Sequence, residues 1–166
     1  MLGPALERIF AEEERHGAPK SLMCGEDESG EKLEHYGHIL DERGNPLPKA
    51  MAIAYSTDAE GLYVPRGSLG RSPRIHGVAA TDADGWYRFR TIRPGGYPGS
   101  DDPQHVHLHI DAAVHRHTCR TMWFDDDPCL TADIRRSLDA ETKIISLRKH
   151  GSSLLAARLD VRLEGS

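Results

Sequence analysis

Long apolar runs are missing from this chain. No stretch approaches the roughly 20 residues that a membrane-crossing helix needs, which excludes a helical span. A basic block is missing as well: 21 Lys and Arg face 26 Asp and Glu, for a net charge of -5, and the charges are spread along the chain. That distribution gives no electrostatic footprint for nucleic acid. Cysteine is scarce, with only Cys24, Cys119 and Cys129. Three thiols in no zinc-ribbon spacing are read as reduced by default, and they argue nothing about function. The opening "MLGPALERIFAEEERHG" has acidic residues where a secretory leader would have its apolar core, so a cytoplasmic protein is expected. A small molecule or a protein partner remains.

What the chain has in excess is histidine. Five of its ten histidines fall between positions 105 and 117. In "HVHLHI" the imidazoles of His105, His107 and His109 share one face of an extended strand, and Val106, Leu108 and Ile110 share the other. The apolar face belongs to a core. Two residues of strand rise about 6.5 to 7 Å, a spacing from which two imidazoles can converge on one ion. An H-x-H pair is a weak motif alone, because a solvated strand face also tolerates histidine.

At 166 residues one domain is expected. "LERIFAEEERH" places Leu6, Ile9 and Phe10 at helical spacing, a short amphipathic helix whose narrow stripe suits packing on the body or on a second copy in a homodimer. "SLMCGEDESGEKLEHY" is polar and reads as an irregular arm, so residues 1–35 form a helix and arm and residues 36–166 the main domain. From Tyr36 the pattern becomes strand, turn, strand. Turn chemistry at "DERGNPLP" and "DADG" separates short runs of β-formers. "HVHLHIDAAV" and "HRHTCRTMWF" read as a hairpin, "LTADIRRSL" as a short helix beside a solvated acidic loop, "DDDP", and "KIISLRKHGSSLLAARLDVRLEG" as two further strands. About seven short strands predict an all-β, antiparallel β-sandwich.

The segments "GHILDERGNPLPKAMAIAYSTDAEGLY", "TDADGWYRFRTIRPGGYP", "HVHLHI" and "ARLDVRLEG" occur in an order that resembles the intradiol ring-cleavage dioxygenases, the catechol and protocatechuate enzymes. The resemblance runs from about Tyr36 to Gly165. It implies a β-sandwich that holds one ferric ion, Fe(3+), through two tyrosines and two histidines. Carried onto this sequence, these ligands are Tyr97 in "PGGYP", His105 and His107 of the H-x-H pair, and Tyr63 at the end of "TDAEGLY". Tyr63 and Tyr97 also carry the implied catalytic role, and Tyr55 is an alternative to Tyr63. The implied reaction is O2-dependent cleavage of a catechol-like substrate between its two hydroxyl-bearing carbons. The donor set suits the metal, since a hard, highly charged ion favours anionic oxygen donors.

Two departures accompany the matches. Asp102 stands where the resemblance implies a substrate-facing arginine, and Thr121 where it implies a glutamine; Arg66, Arg116 or Arg120 could supply the missing positive charge from another direction. His109 is read as a pocket-lining or surface group, His115 and His117 as solvent-facing near the hairpin turn, and His76 as a loop histidine. Two other readings stay open: a transthyretin-like sandwich that binds without catalysis, and a cupin-like H-x-H enzyme with another metal. The latter lacks the downstream glutamate it would need.

Overall fold

The computed structural model describes residues 20–70 and 72–165. In chain order the elements are β1 (Ser21–Leu22), β2 (Lys32–Leu40), β3 (Met51–Ser56), β4 (Ile75–Ala80), β5 (Trp86–Ile92), β6 (His105–Asp111), β7 (Thr118–Phe124), α1 (Ala132–Arg136), β8 (Thr142–Ile145), β9 (Arg148–His150), β10 (Leu154–Arg158) and β11 (Val161–Arg162). The helix expected around Leu6, Ile9 and Phe10 lies outside the described residues. No helix among the described residues is long and apolar enough to cross a membrane.

The strands form two sheets. One has the order β1-β5-β2-β10-β9, with β11 continuing alongside β2; the other runs β4-β3-β6-β7-β8. The all-β expectation holds, but both sheets are mixed and the wholly antiparallel arrangement needs correction. Strand β1 runs parallel to β5, β10 and β11 run parallel to β2, and β8 runs parallel to β7. The cause at β8 is connection length: residues 125–141, which include α1, let the chain return before it pairs, as a tight turn could not. Strand β10 is turned by its short antiparallel hairpin with β9, and β11 follows it after two residues, so both run along β2 in one direction.

Alternation explains the layering. Strand β6 turns Val106, Leu108 and Ile110 inward, all fully buried, and leaves its histidines on the other face. Small Ala52 and Ala54 of β3 and larger Met122 and Phe124 of β7 join that side of the core; Leu33, Ile39, Phe89, Ile92 and Ala157 close it from the opposite sheet. Each large side chain fully buried there contributes about 1.5–3 kcal/mol.

The polar stretch before Tyr36 is more ordered than its composition implies. Strand β2 starts at Lys32, and Leu33, Glu34 and His35 are buried. Glu34 tolerates this because Arg90 binds its carboxylate at 3.1 and 3.2 Å and Arg88 approaches to 3.4 Å. Cross-strand charge pairing conceals a core strand inside a charged sequence.

Candidate metal centre

Two loops meet over the histidine face of β6. The first is built on Asp58, whose Oδ1 accepts the N–H groups of Glu60 and Leu62, each at 3.0 Å, while its own N–H donates to the Leu62 carbonyl. Gly61, with φ of +82°, completes the reversal, and Tyr63 follows it. The same device, an aspartate taking the N–H groups two and four residues on, builds the turn at Asp82, where Asp84 and Trp86 donate. The second loop carries Tyr97. Its Gly95 donates to the Asp58 carbonyl at 2.8 Å and accepts from the Thr57 hydroxyl at 2.8 Å, so the two loops are tied together below their tyrosines.

The four residues named from the sequence come together. The phenol oxygens of Tyr63 and Tyr97 are 2.6 Å apart, and Tyr97 Oη is 2.9 Å from His105 Nε2. His105 directs Nδ1 to the Pro103 carbonyl at 2.7 Å. A carbonyl only accepts, so Nδ1 carries the proton and Nε2 offers its lone pair inward. Protons therefore run from Tyr63 to Tyr97 to His105. The His107 ring packs against His105 with centroids 4.7 Å apart.

Burial favours the uncharged forms of Tyr63 and His107. Burial pushes the Tyr63 phenol above its usual range, and the Tyr97 hydrogen bond adds to the effect. Burial also holds His107 down at about 4, aided by neighbouring His105 and His109. An imidazole that stays neutral near pH 7 keeps a lone pair to donate. Thr121 Oγ1 lies 3.4 Å from His107 Nδ1, so the residue at the glutamine position does face the site.

Tyr55, the alternative to Tyr63, does not join this hydrogen-bonded chain. It stands opposite His107 in the sheet and stacks on His107 and His109, with centroids 4.7 and 5.6 Å away. Asp102 is exposed and accepts from the Ser100 hydroxyl at 2.7 Å. Arg120 pairs with core-facing Leu108, on the face away from the imidazoles, and donates to the Cys119 carbonyl. His76 and His115 each place Nδ1 2.8 Å from a nearby backbone carbonyl, those of Pro73 and Ala113.

Sequence reasoning missed a second cluster. His109, His117 and Cys119 bring one ligand atom each within 4.8 Å of one another. The signal was present as H-x-D (109–111) and H-x-C (117–119) on the two arms of one hairpin. The "DDDP" loop also proves structural: Asp126 receives Arg93, and buried Asp127 accepts the backbone N–H groups of Cys129 and of Gln104, just before β6.

A family model described as Dioxygenase matches residues 3–165. Over 129 residues the chain is 30% identical to the protocatechuate 3,4-dioxygenase beta chain of Burkholderia cepacia, covering 71% of this chain and 55% of that one. It is 32% identical over 124 residues to hydroxyquinol 1,2-dioxygenase of Rhizobium sp. (strain MTP-10005), covering 64% of this chain and 42% of that one. The chain thus spans about half the length of these curated relatives. Among solved structures, the dioxygenase domain of a dioxygenase carbohydrate-binding protein fusion from Streptomyces sp. SirexAA-E superposes with a TM-score of 0.70 at 23% identity, with 89% of each chain covered. 3-Chlorocatechol 1,2-dioxygenase from Rhodococcus opacus 1CP gives 0.74 at 20% identity, covering 98% of this chain and 78% of that one. These two likenesses establish the shared fold.

Proposed function

We propose, on the premise that this chain belongs to the intradiol dioxygenase family, that it cleaves a catecholic substrate with O2 at a ferric ion held by Tyr63, Tyr97, His105 and His107. The observation that carries the reading is the hydrogen-bonded chain from Tyr63 through Tyr97 to His105 Nε2, with neutral His107 beside it. Two phenol oxygens and an inward-facing imidazole nitrogen there share protons where a cation would replace them. Loss of the two phenol protons to solvent would leave the anionic phenolate oxygens that a hard trivalent ion favours. When bound, iron(III) supplies Lewis acidity that activates the substrate's hydroxyl-bearing ring.

The chain's own residues divide the remaining work. His105 is fixed in orientation by the Pro103 carbonyl, the kind of outer contact that sets a ligand's tautomer. The Tyr63 phenol, whose Oη is hydrogen-bonded to Tyr97 alone among the described residues, is placed to take up the proton that a substrate hydroxyl releases and to give it back as product leaves. Tyr55 covers the flank of His107 and keeps water from that side.

For substrate class, exposed Asp102 in place of a cation disfavours a carboxylate-bearing ring. A neutral or amine-bearing catechol, or a hydroxyquinol, is the better fit. The test is metal analysis and a visible spectrum on the purified protein, followed by oxygen uptake with catechol, hydroxyquinol and protocatechuate. Iron near one per chain, a broad tyrosinate charge-transfer band, and faster turnover of the two uncharged rings support the proposal. A protein that stays colourless after iron is added overturns it.

A further inference from the structure

At the far end of the histidine face, β6 and β7 place four side chains together that the Tyr and His group does not use. Register pairs His109 with Cys119 directly across the hairpin. Asp111 lies two residues beyond His109, and His117 two residues before Cys119, so all four project on one face. His109 Nδ1 is 3.2 Å from His117 Nε2; Cys119 Sγ is 3.2 Å from His109 Nδ1 and 3.3 Å from His117 Nε2. His117 Nδ1 is 2.6 Å from Asp111 Oδ1.

The proton count explains why these atoms converge. A carboxylate only accepts, so His117 Nδ1 carries the proton and Nε2 a lone pair. Three donor atoms then form a nearly equilateral triangle. A tetrahedral ion with metal–nitrogen bonds of about 2.0–2.1 Å and a metal–sulfur bond of about 2.3 Å separates its ligand atoms by about 3.3–3.6 Å. The triangle is close to that size already. Asp111 holds His117 as carboxylates hold metal-binding histidines. Exposure of His117 and Asp111 leaves a path for entry and a fourth position open to solvent.

We infer that His109, His117 and Cys119, with Asp111 orienting His117, bind one zinc(II)-class cation at the open end of the β6–β7 hairpin. One thiolate and two imidazoles select a borderline-soft divalent ion, whereas the Tyr63, Tyr97, His105 and His107 group at the other end of β6 selects a hard one. The Tyr55 ring, stacked on both His107 and His109, stands between the two positions. Binding converts the Cys119 thiol to thiolate and releases its proton to solvent. The inference does not rest on the ferric reading: it would stand if the protein proved free of iron.

The experiment is titration of the purified protein with cobalt(II), followed by displacement with zinc(II). The expected result is one cobalt per chain with a near-ultraviolet thiolate-to-metal band and intense visible tetrahedral bands, all abolished by zinc. Cys119→Ser should remove the thiolate band, and Asp111→Asn should weaken binding by roughly ten- to hundredfold. Both variants should keep the wild-type content of any iron. Protection of Cys119 from a thiol reagent by zinc gives a second readout on the unmutated chain. No thiolate band, a band that survives in Cys119→Ser, or a Cys119 that zinc leaves unprotected would each overturn the site.

Discussion

Tyr63 and Tyr97 share a 2.6 Å hydrogen bond although 34 positions of sequence separate them. Tyr97 is the centre of the group, because its oxygen also reaches His105, whereas among the described residues the Tyr63 oxygen bonds to Tyr97 alone. Removing the Tyr97 oxygen should therefore damage the centre more than removing that of Tyr63. Tyr97→Phe and His107→Ala are each expected to lose most bound iron and the visible band, while Tyr63→Phe keeps part of the iron with a weaker, shifted band. His109→Ala should keep most of both. Metal analysis beside the spectrum checks this; a Tyr97→Phe protein with full iron and unchanged colour would remove Tyr97 from the ligand set.

The ties between the two tyrosine loops make a second expectation. A β-carbon on Gly61 would overlap the Gly96 carbonyl oxygen, and one on Gly95 would overlap the Ala59 carbonyl and come within 2.6 Å of the Gly61 nitrogen. Both obstacles are backbone, so neither can rotate aside. Gly61 also holds a positive φ that alanine disfavours. Gly61→Ala and Gly95→Ala should each cost about 2 kcal/mol or more, a fall in Tm of roughly 4–8 °C in a chain of this size, and should also lower iron content. Thermal unfolding and metal analysis together test this. A Gly95→Ala protein as stable as the parent would show that the loops are not in contact.

His35 sets an acid limit on stability. It is fully buried, stacks on Phe89 with centroids 4.9 Å apart, meets Met23 Sδ at 3.4 Å, and finds no hydrogen-bond partner at Nδ1 among the described residues. Burial lowers its pKa to about 3, against about 6.5 in an unfolded chain. Above pH 6.5 neither state binds the proton. Between about 6.5 and 3 only the unfolded state does, so stability falls with falling pH by up to about 1.4 kcal/mol per pH unit from this group. Denaturant unfolding at pH 7, 6, 5 and 4 should show that decline, and His35→Leu should flatten it. An equal slope in both proteins would assign the acid sensitivity elsewhere.

Legibility in the sequence followed how local the physics was. Strand β6 and its two faces could be read because alternation of His with Val, Leu and Ile is a property of neighbours. The same holds for the turn at Asp82 and Gly85, and for the short helix α1 within "LTADIRRSL". Strand β2 was half concealed, because Glu34 becomes tolerable inside only when Arg88 and Arg90 arrive from β5, some fifty residues away. The direction of β8 depends on where the long connection from β7 returns. Tyr63 and Tyr97 were named by resemblance; their meeting depends on Asp58 serving both loops, which no local pattern displays. The His109, His117 and Cys119 group required the hairpin's register, since a slip of one residue would send Cys119 to the core face.

The acidic loop after β7 offers a last expectation, because composition alone makes it a solvated surface. Asp127 is 5% exposed; its Oδ2 accepts the Gln104 N–H at 2.7 Å and its Oδ1 the Cys129 N–H at 2.8 Å. Beside it Arg93 grips Asp126 through two nitrogens and donates a third bond to Gln104 Oε1 at 2.7 Å. Both contacts fix Gln104, the residue immediately before His105. Asp127→Ala leaves two backbone donors without their carboxylate and should cost about 2–4 kcal/mol. Asp127→Asn keeps an acceptor for one of them and should cost less. If the clamp positions His105, the alanine variant also retains less iron than its residual folded fraction accounts for. Denaturant unfolding with iron measured on the folded protein separates these effects: a destabilised variant with full iron per folded chain would make Asp127 a support of the fold alone.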